Sequence, residues 1–146
     1  MTKKPFVVAP KNHPRALNVV GEQVTVLASG ETTGAYEIFL QRGPEGSGPP
    51  SHSHPWDESF YVIKGEIEFS IDNNNMTAVP GTLVHLPAGT THWFRFGKGD
   101  GEMISMTSRE GASRLFADLD REISPGKPDI GKVVEVIRRH GVTVAS

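Results

Sequence analysis

An all-β fold is predicted by three features of the chain. No long helical periodicity interrupts residues 19 to 107, short apolar stretches recur about every ten residues, and sixteen Gly and eleven Pro punctuate them. A length of 146 residues suits one compact domain at roughly 100 to 200 residues each. We therefore expect a single unit over 1–146, with a barrel core at about 19–107 and a helical tail at about 112–141.

The strands follow in order. Val24, Val26 and Ala28 alternate with Gln23, Thr25 and Leu27, and Ser29-Gly30 turns the chain into a second run from Ala35 to Arg42. There Tyr36, Ile38 and Leu40 alternate with polar neighbours, which predicts a second early strand. A Gly/Pro loop over Gly43 to Pro50 precedes candidate strands at Ser51 to His54, Glu58 to Ile63 and Glu66 to Ile71, the last with Ile67, Phe69 and Ile71 inward. Asp72-Asn73-Asn74-Asn75 predicts a hairpin turn into Met76 to Val79, because Asn and Asp tolerate left-handed φ. Strands at Thr82 to Leu86, Thr90 to Phe96 and Glu102 to Thr107 complete eight or nine in one sheet system. Beyond Ser108 the period becomes helical. Leu115, Phe116, Leu119 and Ile123 mark a helix from Ser113, stopped by Ser124-Pro125-Gly126. A second helix carries Ile130, Val133, Val134 and Ile137 between an Asp129 N-cap and Gly141. The tail is expected to lay its stripe on the barrel's outside.

Composition narrows the function classes. Fifteen Lys plus Arg against seventeen Asp plus Glu leave a net charge of −2, too small to steer the chain onto a polyanion, so no nucleic acid partner is expected. With no Cys, disulfides, thiolate catalysis and sulfur metal ligands are excluded together. The apolar run at Phe6 to Ala9 is too short for an export signal, which predicts a cytoplasmic protein with no membrane partner. Gly43 to Gly48 lacks the Lys-Ser/Thr ending of a phosphate loop, and no Gly-x-Ser-x-Gly elbow supports serine hydrolysis.

The histidines carry the chemistry. His52 and His54 leave the same face of an extended strand, about 6.6 Å apart at Cα, a workable bite for one metal ion. Glu58 would lie about 20 Å from His52 on a straight strand, so a shared ligand role needs the bend that Pro55 offers. His92, alternating with Phe94 and Phe96, is placed to supply a third imidazole from the opposite wall. Imidazole and carboxylate without thiolate suit one divalent transition metal, Fe, Mn, Ni, Co, Cu or Zn.

These spacings, Gly46-x5-His52-x-His54-x3-Glu58-x6-Gly65 and Gly81-x5-Pro87-x-Gly89-x2-His92, resemble the two motifs of the cupin superfamily. The closing Asn of the second motif is replaced by Phe96. The resemblance covers residues 46 to 96 and implies a double-stranded β-helix, or jelly-roll barrel, with one metal bound by His52, His54, Glu58 and His92. The run His54-Pro55-Trp56-Asp57-Glu58-Ser59-Phe60-Tyr61-Val62 followed by Gly65 looks like the flavonol dioxygenase branch. That likeness implies a metal-dependent oxygenase acting on a small enolic, phenolic or aromatic molecule, with Glu58 as catalytic base. The same donors would serve a redox-neutral isomerase or lyase, or a noncatalytic binding module. Small cupins also imply a homodimer.

Around that centre, Phe60, Val62, Phe94 and Phe96 are expected as an apolar pocket wall or as core, and Tyr36, Gln41 and Tyr61 as donors behind the ligands. His85 reads as packed or surface, His13 and His140 as solvated, and Asp57 as an alternative ligand pointing away from Glu58. Trp56 and Trp93 could be core, pocket rim or dimer contact.

Overall fold

A computed structural model describes residues 3–108 and 111–145. Eleven strands, among the described residues, form two antiparallel sheets and not one continuous system. In chain order they are β1 (Leu17–Val19), β2 (Glu22–Ala28), β3 (Tyr36–Gly43), β4 (His52–Ser53), β5 (Glu58–Lys64) and β6 (Ile67–Ile71), then β7 (Asn74–Ala78), β8 (Leu83–Leu86), β9 (His92–Phe96), β10 (Gly101–Ser108) and β11 (Thr143–Val144). The helices are α1 (Gly30–Thr33), α2 (Ala112–Glu122) and α3 (Ile130–Arg139). One sheet runs β1-β2-β3-β10-β5-β8 and the other β11-β4-β9-β6-β7. The short edge strands β1 and β11 are the two that the sequence reading lacks.

Local chemistry accounts for the connections. Asp72 and Asn73 both take positive φ, 48° and 68°, and join β6 to β7 as a two-residue hairpin with Ile71 opposite Asn74. Ser29 caps α1 by accepting from the Thr32 amide, so the expected turn is one helical turn. Asp129 accepts from the Lys132 amide at the start of α3, as its sequence position predicts. Gly141, at φ 83°, ends that helix and donates to the Arg138 carbonyl.

Register separates Tyr36 from Gln41, both expected beside the site. On β3 the residues turned to the interior are Glu37, Phe39 and Gln41, all buried, while Tyr36 on the other face is 46% exposed. Strand periodicity marks two faces but not which is the inner one, and the outer face of this sheet is itself apolar. Tyr61, Leu83 and Met106 are exposed on it.

Two apolar clusters fill the molecule. Phe60, Val62, Ile67, Phe69, Phe96 and Met103 belong to the one between the sheets. In the other, Leu115, Leu119, Val133 and Ile137 from the tail join Val24, Phe39 and Trp56. The helices therefore do not lie on the outside of the barrel. Their stripe covers its open end, with Phe116 edge-on to Phe39 at 5.0 Å between ring centroids. Glu37 holds this arrangement: its fully buried carboxylate accepts from the amides of Gly30, Gly111 and Ser113 and from the Ser113 hydroxyl. No helix among the described residues is long and apolar enough to cross a membrane.

Candidate metal centre

His52 on β4 lies directly opposite His92 on β9, and His54 follows where the chain leaves that sheet. Between His54 and Glu58 the chain crosses to the other sheet, which is why the 20 Å of a straight strand does not apply. The crossing is pinned on both sides. Asp57 exchanges bonds with Ser108 and its Oδ1 accepts from the Ala88 amide, while the Gly89 amide donates to the His54 carbonyl. Asp57 thus points away from the cluster, as its neighbour position implies.

The imidazoles of His52, His54 and His92 converge, each offering a ring nitrogen within 4.8 Å of the others. Glu58 Oε1 stands 3.0 Å from His54 Nε2 and 3.8 Å from His92 Nε2. All three Nδ1 atoms face backbone carbonyls, those of Pro50 at 2.8 Å, Trp56 at 2.9 Å and Thr90 at 2.8 Å. A carbonyl only accepts, so each Nδ1 carries a proton, and in the neutral rings of His52 and His92 this leaves Nε2 as a lone pair. Such outer bonds orient imidazoles for a metal ion. Burial, reinforced by His92, holds the His52 imidazole down to about 4, and burial lowers His92 as well, so both rings are neutral near pH 7. His92 Nε2 is buried without a hydrogen-bond partner. Glu58 Oε1 stands 3.8 Å from that unpartnered nitrogen, and a cation between them would satisfy both. The donors present therefore fit a borderline divalent ion.

Beside this cluster lies a cavity of about 130 Å³, roofed by α2 and α3. Trp56, stacked on His54 at 4.6 Å, and Phe94 are among its apolar walls. Gly48 lets the rim approach: a Cβ there would sit 2.0 Å from the Phe94 carbonyl oxygen.

The expected neighbours divide. Phe94 and Gln41 line the cavity, whereas Phe60, Val62 and Phe96 are buried in the core between the sheets. Tyr36 and Tyr61, 46% and 49% exposed, are not donors behind the ligands; both lie on the outer face. Ser59 shares a hydrogen bond with His85 on the surface, and His13 is exposed. His140 is not solvated, since its Nε2 meets Asp118 Oδ2 at 2.6 Å and ties α3 to α2. Trp93 is half-buried with the Arg95 guanidinium 5.0 Å from its ring centre. Sequence reasoning missed Glu22, a 5% exposed carboxyl on β2 that lines the same cavity and accepts from Gln41. Its only signal is an acidic residue in phase with Val24.

Two sheets closed over inward-facing histidines at motif spacing define a cupin. Residues 39–107 match the family described as Cupin domain. The chain is 30% identical over 118 residues to quercetin 2,3-dioxygenase of Bacillus subtilis, a match that takes 79% of this chain and 34% of that protein. The chain thus spans about a third of that relative's length. Among solved structures, KdgF from Halomonas sp. superposes with a TM-score of 0.68 at 20% identity, over 75% of this chain and 99% of that one. A sugar phosphate isomerase from Silicibacter pomeroyi gives a TM-score of 0.62 at 20% identity, over 73% and 77%. The chain is a member of the cupin superfamily.

Proposed function

We propose that the chain is a metal-dependent oxygenase acting on a small enolic, phenolic or aromatic molecule, with His52, His54, Glu58 and His92 holding one divalent ion. The observation that carries this reading is the convergence of three imidazoles, each fixed by its own Nδ1 bond, with the Glu58 carboxyl beside His54 and His92. Kinship with a quercetin 2,3-dioxygenase supports the oxygenase class. When bound, the ion would lower the pKa of the substrate's enolic or phenolic oxygen and open an electron path to dioxygen. Glu58 takes the proton that this oxygen gives up, acting as general base from a site with 8% side-chain exposure. Trp56, Phe94 and the two tail helices exclude water and hold the substrate's apolar part. The cavity of about 130 Å³ is close to the roughly 150 Å³ that accommodates benzene, which favours a single-ring substrate over a flavonol.

Metal analysis of the purified protein and an oxygen electrode with monocyclic enols and phenols test this reading. Glu58→Gln is expected to cut turnover about 100-fold or more with the fold retained by circular dichroism. Unchanged activity in that variant would remove the base, and turnover without oxygen would point to an isomerase or lyase instead. We also propose a homodimer, packed through the outer face bearing Tyr61, Leu83 and Met106. Leu83→Arg should then move the protein from dimer to monomer in analytical ultracentrifugation; a native monomer sinks the idea.

A further inference from the structure

Besides the histidine cluster and Glu58, the cavity is lined by a pair of polar side chains on neighbouring strands. Gln41 on β3 is 3% exposed and donates through Nε2 to Glu22 Oε1 on β2 at 3.1 Å. With Nε2 turned to Glu22, Gln41 Oε1 is buried with no partner. A buried amide oxygen without a hydrogen bond is costly, and interiors fill such a vacancy with water or a ligand group. Gln41 and Glu22 both line the cavity that contains His52, His54 and Glu58. The cavity therefore carries a second set of polar side chains among apolar walls.

We propose that Gln41, held by Glu22, is a specificity-determining residue whose Oε1 accepts a hydrogen bond from a neutral hydroxyl or amide N–H on the substrate, remote from its metal-binding oxygen. The proposal deepens the oxygenase reading and rests on it only for the naming of the molecule's other end. The chemical class is a single-ring molecule with two polar groups, one for the ion and one donor for Gln41. A cavity of about 130 Å³ suits a molecule of that size. An ammonium donor is disfavoured, because burial pushes the Glu22 carboxyl up to about 8 and leaves it largely uncharged at neutral pH. Positioning residue is the role of Glu22, which acts through Gln41.

Phenol and toluene, nearly equal in shape, isolate the hydrogen bond. The full chain, once stripped with chelator and once loaded with redox-inert zinc, is titrated with each probe and the dissociation constants are read by NMR shift changes. In Gln41→Met the preference for phenol relative to toluene is expected to fall about tenfold, the value of one ordinary hydrogen bond. The paired change Glu22→Leu with Gln41→Met removes both polar partners, guards against misfolding from a stranded carboxyl, and is expected to show the same fall. An unchanged ratio in a folded variant, or failure of both probes to bind the native chain, would overturn the proposal. A tenfold fall in a protein that takes up no zinc supports the Gln41 role and overturns the metal reading alone.

Discussion

At the residue scale, two buried carboxyls show how environment sets the behaviour of one functional group. Glu37 is satisfied by three amides and a hydroxyl, whereas Glu22 has a single Gln41 donor and is pushed up to about 8 by burial. The sign of its effect on stability follows. A carboxyl raised in the folded state binds more protons than in the unfolded chain between about pH 4.5 and 8, so native stability falls as pH rises through that window. Glu22→Gln should flatten this dependence by up to about 1.4 kcal/mol per pH unit, measured by urea denaturation at a series of pH values. An unaltered profile would mean that Glu22 titrates normally. Of the four proposed ligands, the shared face of His52 and His54 was legible from strand geometry, while the full set with Glu58 and His92 came from the resemblance of the spacing to the cupin motifs. Glu22 and the inward turn of Gln41 against Tyr36 were not legible, because one acidic residue in an alternating stretch does not say which face is interior.

At the element scale, the tail helices depend on one side chain far from them in sequence. Glu37 receives the Gly111 and Ser113 amides at the entrance to α2, so it both anchors the helix and neutralises its first turn. Glu37→Ala should cost about 3 kcal/mol or more, since several donors lose their acceptor together. Hydrogen exchange should then rise first in α2 and α3; protection loss confined to the sheets would contradict this role. Helix limits, caps and the β6–β7 turn were readable locally, from Asp129, Gly141 and Asp72-Asn73. Where the helices dock was not, because an apolar stripe says that it must be covered and not by which end of the barrel.

At the scale of the whole molecule, the proposed donors come from both sheets, His52 and His92 on one and Glu58 on the other, so uptake of an ion there would be coupled to folding. If the four residues hold an ion, saturation to about 100 times the dissociation constant should stabilise the fold by roughly 2.7 kcal/mol, seen as a raised Tm that chelator reverses. An unmoved Tm with each of zinc, manganese and iron would refute the ligand set. The same architecture gives β11 an unexpected reach. Val144 pairs with His52, and the Ala145 amide donates to Ser51. Trimming by a carboxypeptidase into β11, or a bulky purification tag fused just beyond it, would strip the outer neighbour from a two-residue strand and be felt at an imidazole nearly a hundred positions upstream.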